Sequence, residues 1–235
     1  MLRSLAHWFF PNTCIFCNEV IGPAGYCCER CAKQLPLAPE DCCLCCGTIP
    51  CQCGREECFY DRAVSPFVYD LGAKNAVSML KFRGRKSYAK GLAKAMAERL
   101  SQTGDLTELT VVTAVPMYRK DEYDRGYNQA ELIAKEIARL TGLPYRRLLV
   151  KLRSTPKQHN LTAGTRRENL RQAFASAEKD EFYQRKQVIL LCDDVLTTGA
   201  TMNECAKTLK AAGAGKIICC TAAVATCRNA QDMVK

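Results

Sequence analysis

Two adjacent carboxylates stand at the centre of the most distinctive stretch of this sequence, VILLCDDVLTTGAT at residues 188–201. Asp193 and Asp194 follow four apolar residues and precede a run of small and hydroxyl side chains. Paired carboxylates suit hydrogen bonds to the vicinal hydroxyls of a sugar, or binding of a hard cation such as Mg²⁺. The acidic pair therefore predicts a site for a polyhydroxylated or metal-bound ligand.

The residues that follow have the composition of an anion-binding loop. Thr197, Thr198 and Thr201 bring hydroxyl donors, and Gly199 lets the backbone approach a ligand closely. The loop leads into a helical pattern, and the N–H groups of such a loop and helix start favour a phosphate. Thr201 and Glu204 also have capping-box spacing, which is a purely structural explanation for that threonine. Carboxylates and loop together fit a ribose that carries a 5-phosphate.

Cysteines form a second group with chemical potential, because twelve of the seventeen lie between residues 14 and 58. Cys14 and Cys17 form one pair with two residues between them, and Cys28 and Cys31 form another. Four thiolates at these intervals predict a tetrahedral structural zinc site. Cys27 is predicted to stand outside it, because Cys28 keeps the two-residue spacing.

A second zinc site is predicted further along, with a less regular spacing. Cys43 and Cys46 are favoured as its first pair because Gly47 follows, although Cys42 with Cys45 has the same interval. A disulfide scaffold is the alternative, which a reducing compartment disfavours. The other ligands would come from Cys51, Cys53 and Cys58, and the predicted set is Cys43, Cys46, Cys53 and Cys58.

Charge is distributed unevenly along the chain. Residues 1–70 carry a net charge of −3 and residues 71–235 a net charge of +13, which gives the overall +10. Residues 71–100 and 146–171 each hold eight Lys or Arg against one Glu. Such windows suit a pyrophosphate or a nucleic-acid backbone, or are simply a solvated face. Three tyrosines are available to stack on bases: Tyr118, Tyr127 and Tyr145.

The elements that must position these residues alternate between strand and helix patterns. Apolar runs at 110–115, 188–191 and 216–224 predict strands buried on both faces, and residues 63–69 predict an edge strand because of Pro66. Helices are predicted over 74–82, 88–100 and 128–141, the last opened by a capping box of Asn128 and Glu131 and ended by Gly142. A further strand is predicted over 147–152. This order predicts an α/β fold with a parallel sheet, whose ligand lies beyond the carboxyl ends of the strands.

The sequence predicts neither a membrane span nor a signal peptide. No run of eighteen apolar residues occurs, and the apolar stretch near the start is short and broken by His7 and Pro11. We therefore expect a cytoplasmic protein. Its organisation is predicted as a Cys-rich zinc-binding module at 1–60 and a larger α/β domain at 61–235.

The stretch at 188–201 resembles the phosphoribosyl pyrophosphate (PRPP) binding motif of type I phosphoribosyltransferases. LKFRG at 80–84, VPMYRK at 115–120, RGYNQAE at 125–131 and the spaced Gln, Leu, Arg and Asn of 158–169 extend the likeness. With the Cys-rich head, they make the chain resemble the ComF family of competence-associated proteins. That resemblance implies a type I phosphoribosyltransferase-like sheet behind a zinc-binding module.

The resemblance also implies a ligand, a site and partners. It implies a role in the uptake or use of external DNA (natural competence), with PRPP and Mg²⁺ as the ligand and other DNA-uptake proteins such as a helicase as partners. The basic windows favour single-stranded DNA as a further partner. One reading is an enzyme with Asp193 and Asp194 as catalytic residues; the other is a catalytically silent, PRPP-sensing module that binds DNA and partner proteins. The implied PRPP-binding residues are Asp193, Asp194, Val195, Leu196, Thr197, Thr198, Gly199, Ala200, Thr201, Arg125, Gln129, Gln158 and Arg166.

Overall fold

A parallel sheet forms the centre of the computed structural model, which describes residues 12–22, 25–39, 42–43, 46–48, 51, 57–154, 170, 172–178, 180–183 and 187–225. The central strands lie in the order β1, β7, β6, β3, with β2 also paired to β7, and every pairing among them is parallel. In chain order the strands are β1 Arg62–Val64, β2 Phe67–Val68, β3 Val111–Ala114, β4 Leu149–Lys151, β5 Phe174–Ser176, β6 Val188–Leu196 and β7 Lys216–Val224.

Helices cover both faces of this sheet. Leu190 and Cys192 of β6 pack with α2, α3 and α5, while Ile189 and Leu191 of the same strand pack with α7. Within the described residues, no helix has the length and apolar character needed to cross a membrane. The helices are α1 Glu29–Ala32, α2 Leu71–Phe82, α3 Tyr88–Gln102, α4 Arg119–Arg125, α5 Gln129–Thr141, α6 Asp180–Tyr183 and α7 Ala200–Ala211, and a 3₁₀ turn spans Asp105–Glu108.

Strands β6 and β7 confirm the prediction made from their apolar runs, because both are covered on two faces. The prediction ended the first of them too early. β6 continues to Leu196, and Asp193 pairs in register with Thr221 of β7. The two aspartates therefore lie within the final residues of a strand and not in a corner after it. Backbone pairing with β7 extends the strand past the point where the side chains become polar.

Two other strand predictions need correction. The edge position of residues 63–69 is confirmed, but the chain breaks into β1 and β2 around Pro66, which has no N–H to donate to the sheet. The strand predicted at 147–152 is β4, which pairs antiparallel with β5 in a separate two-stranded sheet. The place beside β3 is taken instead by residues 144–146, which bond to the backbone of Val112.

Caps fix the helices that border the carboxyl edge of the sheet. Asp70 caps α2 by accepting from the N–H groups of Gly72 and Ala73, so this helix begins three residues before the predicted start. Asn128 caps α5, as predicted. The second half of the capping box, a bond from the Asn128 backbone N–H to the Glu131 carboxylate, is not among the described hydrogen bonds. The Glu131 carboxylate binds Arg147 and Lys135 instead.

Candidate functional site

A tight loop joins β6 to α7 at the carboxyl edge of the sheet. Gly199 occupies the N-cap position of α7 with a φ of +76°, a left-handed conformation that disfavours other residues. Thr198 lies beside it and accepts from the N–H of Ala200 at 3.4 Å. Because α7 starts at Ala200, Thr201 lies in the first turn and the capping box with Glu204 is wrong. The Glu204 carboxylate accepts from Gln172 N at 2.9 Å instead.

Asp194 is the more deeply buried of the two carboxylates. Its Oδ1 lies 2.9 Å from the Nζ of Lys81 in α2, and only 5% of its side chain is exposed. Its Oδ2 is buried and has no hydrogen-bond partner among the described residues. A buried carboxylate oxygen without a donor is costly, so the described residues leave one acceptor of Asp194 unsatisfied at the end of β6.

Asp193 faces the other side of the same strand, because successive side chains of a strand alternate between faces. It accepts from the N–H of Asp194 at 2.8 Å. Burial, and secondly the charge of Asp194, raise the pKa of Asp193 to about 7. The carboxylates therefore share one strand end but approach it from two faces, so a ligand that crosses the edge of the sheet can contact both.

Lys81 was not singled out from the sequence, where it is one of the eight cations of residues 71–100 and part of the LKFRG segment. Burial alone would lower the pKa of Lys81, but the neighbouring Asp194 carboxylate outweighs this and raises it. The lysine is therefore a fixed positive charge beside the acidic pair. The LKFRG segment was the available signal, since its lysine ends a predicted helix on the same sheet edge.

The replacement Asp193→Asn is expected to stabilise the ligand-free protein. The pKa of Asp193 lies above its ordinary value of 3.8, so the folded state binds the extra proton between about pH 4 and pH 7. Stability is consequently lost as the pH rises through this window. Each tenfold change in proton affinity corresponds to about 1.4 kcal/mol, and since water still reaches part of this side chain we expect a gain of about 2 kcal/mol at pH 8.

Urea unfolding at two pH values checks this expectation. The gain should be largest above pH 7 and should disappear near pH 4, where Asp193 already carries its proton. A gain that is the same at pH 4 and pH 8 would mean that packing, and not the carboxylate charge, is responsible.

Arg125 and Gln129, both predicted from the resemblance, lie together at the junction of α4 and α5. Arg125 Nη1 donates to Gln129 Oε1 at 2.5 Å, and its guanidinium lies 5.6 Å from the ring centroid of Phe82. Phe82 follows Lys81, so the pair borders the helix that reaches Asp194. Gln158 and Arg166 lie outside the described residues, and their role stays a prediction.

Tyr127 is not available for base stacking, contrary to the prediction. Its ring is buried, and its hydroxyl donates to the carbonyl of Leu80 in α2. This hydrogen bond instead ties the loop after α4 to α2. Tyr118 and Tyr145 are half-buried.

The first thiol cluster consists of Cys14, Cys17, Cys28 and Cys31, whose sulfurs all lie within 4.8 Å of one another. Cys17 and Cys28 are 3.6 Å apart. Sulfurs of a tetrahedral zinc site with Zn–S of about 2.3 Å are about 3.8 Å apart, so these thiols fit the metal. A backbone hydrogen bond at Glu19 lowers the pKa of Cys17 to about 7, which favours the thiolate form.

The second thiol cluster consists of Cys43, Cys46 and Cys51, again within 4.8 Å. Cys46 and Cys51 have their sulfurs 3.9 Å apart. This set differs from the predicted one, because Cys51 is present and Cys58 does not join the group in the described part of the chain. Cys58 instead lies with its sulfur 3.4 Å from the carbonyl oxygen of Tyr60. Cys53 lies outside the described residues.

Comparisons with known proteins agree with this architecture. A family model for the phosphoribosyl transferase domain matches residues 125–233, which include the carboxylates and the loop. Competence protein F of Haemophilus influenzae is 32% identical over 223 residues, covering 89% of this chain and 95% of that protein. The DNA utilization protein YhgH of Salmonella typhimurium is 28% identical over 222 residues, covering 92% and 91%.

Solved structures with a similar chain include phosphoribosyltransferases. The glutamine PRPP amidotransferase of B. subtilis aligns with a TM-score of 0.37 and 20% identity over 56% of this chain, which spans a quarter of that enzyme. The adenine phosphoribosyl transferase of Trypanosoma brucei aligns with a TM-score of 0.36 and 12% identity, covering 67% of this chain and 70% of that chain. With the phosphoribosyl transferase domain matched and a relative 32% identical across nearly its whole length, this chain belongs to the ComF family.

Proposed function

We propose that this protein binds PRPP at the carboxyl edge of its sheet and acts in the uptake or use of external DNA. The loop at Thr197–Thr201 holds the 5-phosphate, and Asp193 and Asp194 accept hydrogen bonds from the ribose hydroxyls. The DNA context rests on the relatives, one of which is named a competence protein and another a DNA utilization protein.

The buried and unpartnered Oδ2 of Asp194, beside the loop that opens α7, carries this proposal. The first N–H groups of a helix have no partner within it and point toward an anion. A ligand with a phosphate at one end and hydroxyls along its edge satisfies the N–H donors and the carboxylate acceptors together. The phosphoribosyl transferase match over 125–233 supports the same choice of ligand.

The proposal includes two kinds of metal ion. The carboxylate oxygens of Asp193 and Asp194 would hold Mg²⁺. When bound, this ion neutralises the charge of the ligand's pyrophosphate. The first thiol cluster would hold a structural zinc ion. Lys81 holds Asp194 in place as an ion pair, and Arg125 and Gln129 orient each other at the border of the site.

Titration calorimetry with PRPP and Mg²⁺ tests the binding directly. We expect saturable binding of one PRPP per chain, and weaker binding of ribose 5-phosphate, which lacks the pyrophosphate. The proposal would be contradicted if millimolar PRPP gave no binding heat and did not displace ribose 5-phosphate.

Two functions fit a PRPP site, and one assay separates them. A phosphoribosyltransferase releases pyrophosphate from PRPP when a suitable acceptor is present, whereas a binding module does not. Pyrophosphate release should be followed with Mg²⁺ and PRPP, alone and with free bases, nucleosides or single-stranded DNA. Release that depends on one acceptor identifies the enzyme, and tight binding without release identifies the module.

An exposed cationic turn favours single-stranded DNA as a second ligand. Arg83, Arg85 and Lys86 follow α2 and are all exposed, and the ring of Phe82 is 69% exposed beside them. Cations that track a phosphate backbone and an exposed ring that stacks on a base are the usual parts of a single-strand site. The turn lies next to Lys81, at the same edge of the sheet as the carboxylates.

Binding of a single-stranded oligonucleotide is expected to weaken with salt. If three phosphates are contacted, the affinity should fall about 20-fold between 50 and 200 mM salt. The double variant Arg83→Gln/Lys86→Gln should reduce both the affinity and this salt dependence, as measured by fluorescence anisotropy.

A matched double variant controls for overall charge. Lys210→Gln/Lys216→Gln removes the same charge at the opposite edge of the sheet, where the two lysines pair with Asp61 and Glu108. This variant should bind the oligonucleotide like the wild type. An equal loss in both variants would point to general charge attraction and not to a site at the turn.

A further inference from the structure

The second thiol cluster lies directly against the phosphate loop, the residues 197–201 that join β6 to α7. The turn after Cys46 is closed by Gly47, which has a φ of +69°. A Cβ at Gly47 would lie 2.6 Å from the side chains of both Ala63 and Leu196, and Leu196 is the last residue of β6. The cluster therefore fits against the end of the strand that carries the two aspartates, with no room for a larger residue.

Tyr60 links the cluster to the loop by a hydrogen bond and by contact. Its side chain is buried, and its hydroxyl donates to the carbonyl of Cys46 at 2.9 Å. The same hydroxyl oxygen lies 3.2 Å from the position of a Cβ at Gly199. One tyrosine thus touches the backbone of a cluster residue and the N-cap of α7.

Asn203 supplies a second link, through the first turn of α7. Its Oδ1 accepts from the N–H of Phe59 at 2.7 Å, and its Nδ2 donates to the carbonyl of Glu57 at 2.8 Å. Its own N–H donates to the carbonyl of Gly199, which begins the helix. The segment between the cluster and β1 therefore clamps the helix start that would face the phosphate.

The first thiol cluster has different neighbours. Phe16, between two of its cysteines, packs edge-to-face on Phe67 with ring centroids 5.3 Å apart. Ile15 lies against Gly91 of α3, and the carbonyl of Phe16 accepts from Asn75 of α2. These contacts hold the first cluster on α2 and α3, so the two clusters can be tested separately.

We propose that the second thiol cluster is a metal site whose function is to position the phosphate loop. Cys43, Cys46 and Cys51 would hold the metal with one further ligand, and their sulfur spacing fits zinc. The metal fixes the turn at Cys46, and the turn fixes Tyr60 against Gly199. A loop held in the binding conformation loses less entropy when the ligand arrives. This inference rests on the proposed PRPP site.

The test compares Cys46→Ser with Cys28→Ser in the full chain. Each variant should lose one zinc ion by metal analysis. Cys46→Ser should also bind PRPP about tenfold more weakly and show faster hydrogen exchange of the amides at residues 197–203 without any ligand. Cys28→Ser, measured below its own melting temperature, should keep the PRPP affinity within about twofold of the wild type.

Tyr60→Phe keeps the metal and the ring but removes the hydrogen bond to Cys46. We expect full zinc content, faster exchange at the loop and a PRPP affinity lowered about threefold. If Cys46→Ser does not fold, Tyr60→Phe is used for the test together with Asn203→Ala, which removes the second link at α7. Unchanged loop exchange in both would overturn the positioning role.

The outcomes separate this inference from the PRPP site itself. Failure of the wild type to bind PRPP removes the proposed function, while zinc content and loop exchange still test the link between cluster and loop. Zinc loss from Cys46→Ser with unchanged loop exchange overturns that link. Full zinc content in Cys46→Ser, or a disulfide within the cluster of the wild type, overturns the metal site.

Discussion

Replacement of Asp194 by asparagine is expected to weaken PRPP binding about 100-fold in titration calorimetry. The asparagine keeps the shape of the side chain but loses the charged acceptor that lies beside Lys81. Hydrogen bonds to charged groups contribute about 1.5–3 kcal/mol each, so the loss of one or two ribose contacts accounts for this factor. The Asp193→Asn/Asp194→Asn double variant should show no measurable binding.

The control for this variant is a second buried carboxylate. Asp105 is fully buried and pairs with Arg62 at 2.9 Å, in the 3₁₀ turn that precedes β3 and so at the opposite edge of the sheet. Asp105→Asn should lower the melting temperature, because it also breaks a buried ion pair, yet leave the PRPP affinity unchanged. Wild-type affinity in Asp194→Asn would rule out Asp194 as a ligand-binding residue.

Loss of zinc from the first thiol cluster is expected to cause the largest loss of stability. Binding of structural zinc contributes about 10–16 kcal/mol in small zinc-binding domains. Cys14 is buried, and its neighbour Ile15 packs with the core residues of α2 and α3, so opening the cluster exposes that contact. Chelation under reducing conditions, or Cys28→Ser, should lower the melting temperature by about 10 °C or more.

Cys27 provides a matched control, because it neighbours Cys28 but lies outside the four-sulfur group. Cys27→Ser should keep the zinc content and the melting temperature of the wild type. Protein purified without added zinc should contain about one or two zinc ions per chain. Metal-free protein with a disulfide among these four cysteines would contradict the zinc site.

Local patterns were sufficient for much of the fold. β7 was predicted from a continuous apolar run, and α5 from Asn128 at its start and Gly142 at its end. These predictions succeed because burial on both faces and helix capping depend on residues close together in the chain. The spacing of Cys14, Cys17, Cys28 and Cys31 likewise predicted that four sulfur atoms from one short segment lie close together.

Contacts between distant residues could not be read from such patterns. Lys81 reaches Asp194 across more than a hundred residues, and Cys51 joins Cys43 and Cys46 against an irregular spacing. β4 lies outside the main sheet and pairs with β5, while residues 144–146 occupy the edge beside β3. Each of these features depends on contacts between segments far apart in the chain, so no single segment determines it.

The sequence by itself determined which chemical groups this protein has: two carboxylates, a loop of threonines and one glycine, and two sets of thiols. Tertiary structure decided how they are arranged. The extension of β6 placed Asp193 and Asp194 on opposite faces of one strand, because neighbouring side chains of a strand must alternate. Packing of Tyr60 and Gly47 against the strand end then brought the second thiol cluster to the phosphate loop, since only folding joins surfaces so far apart in the chain.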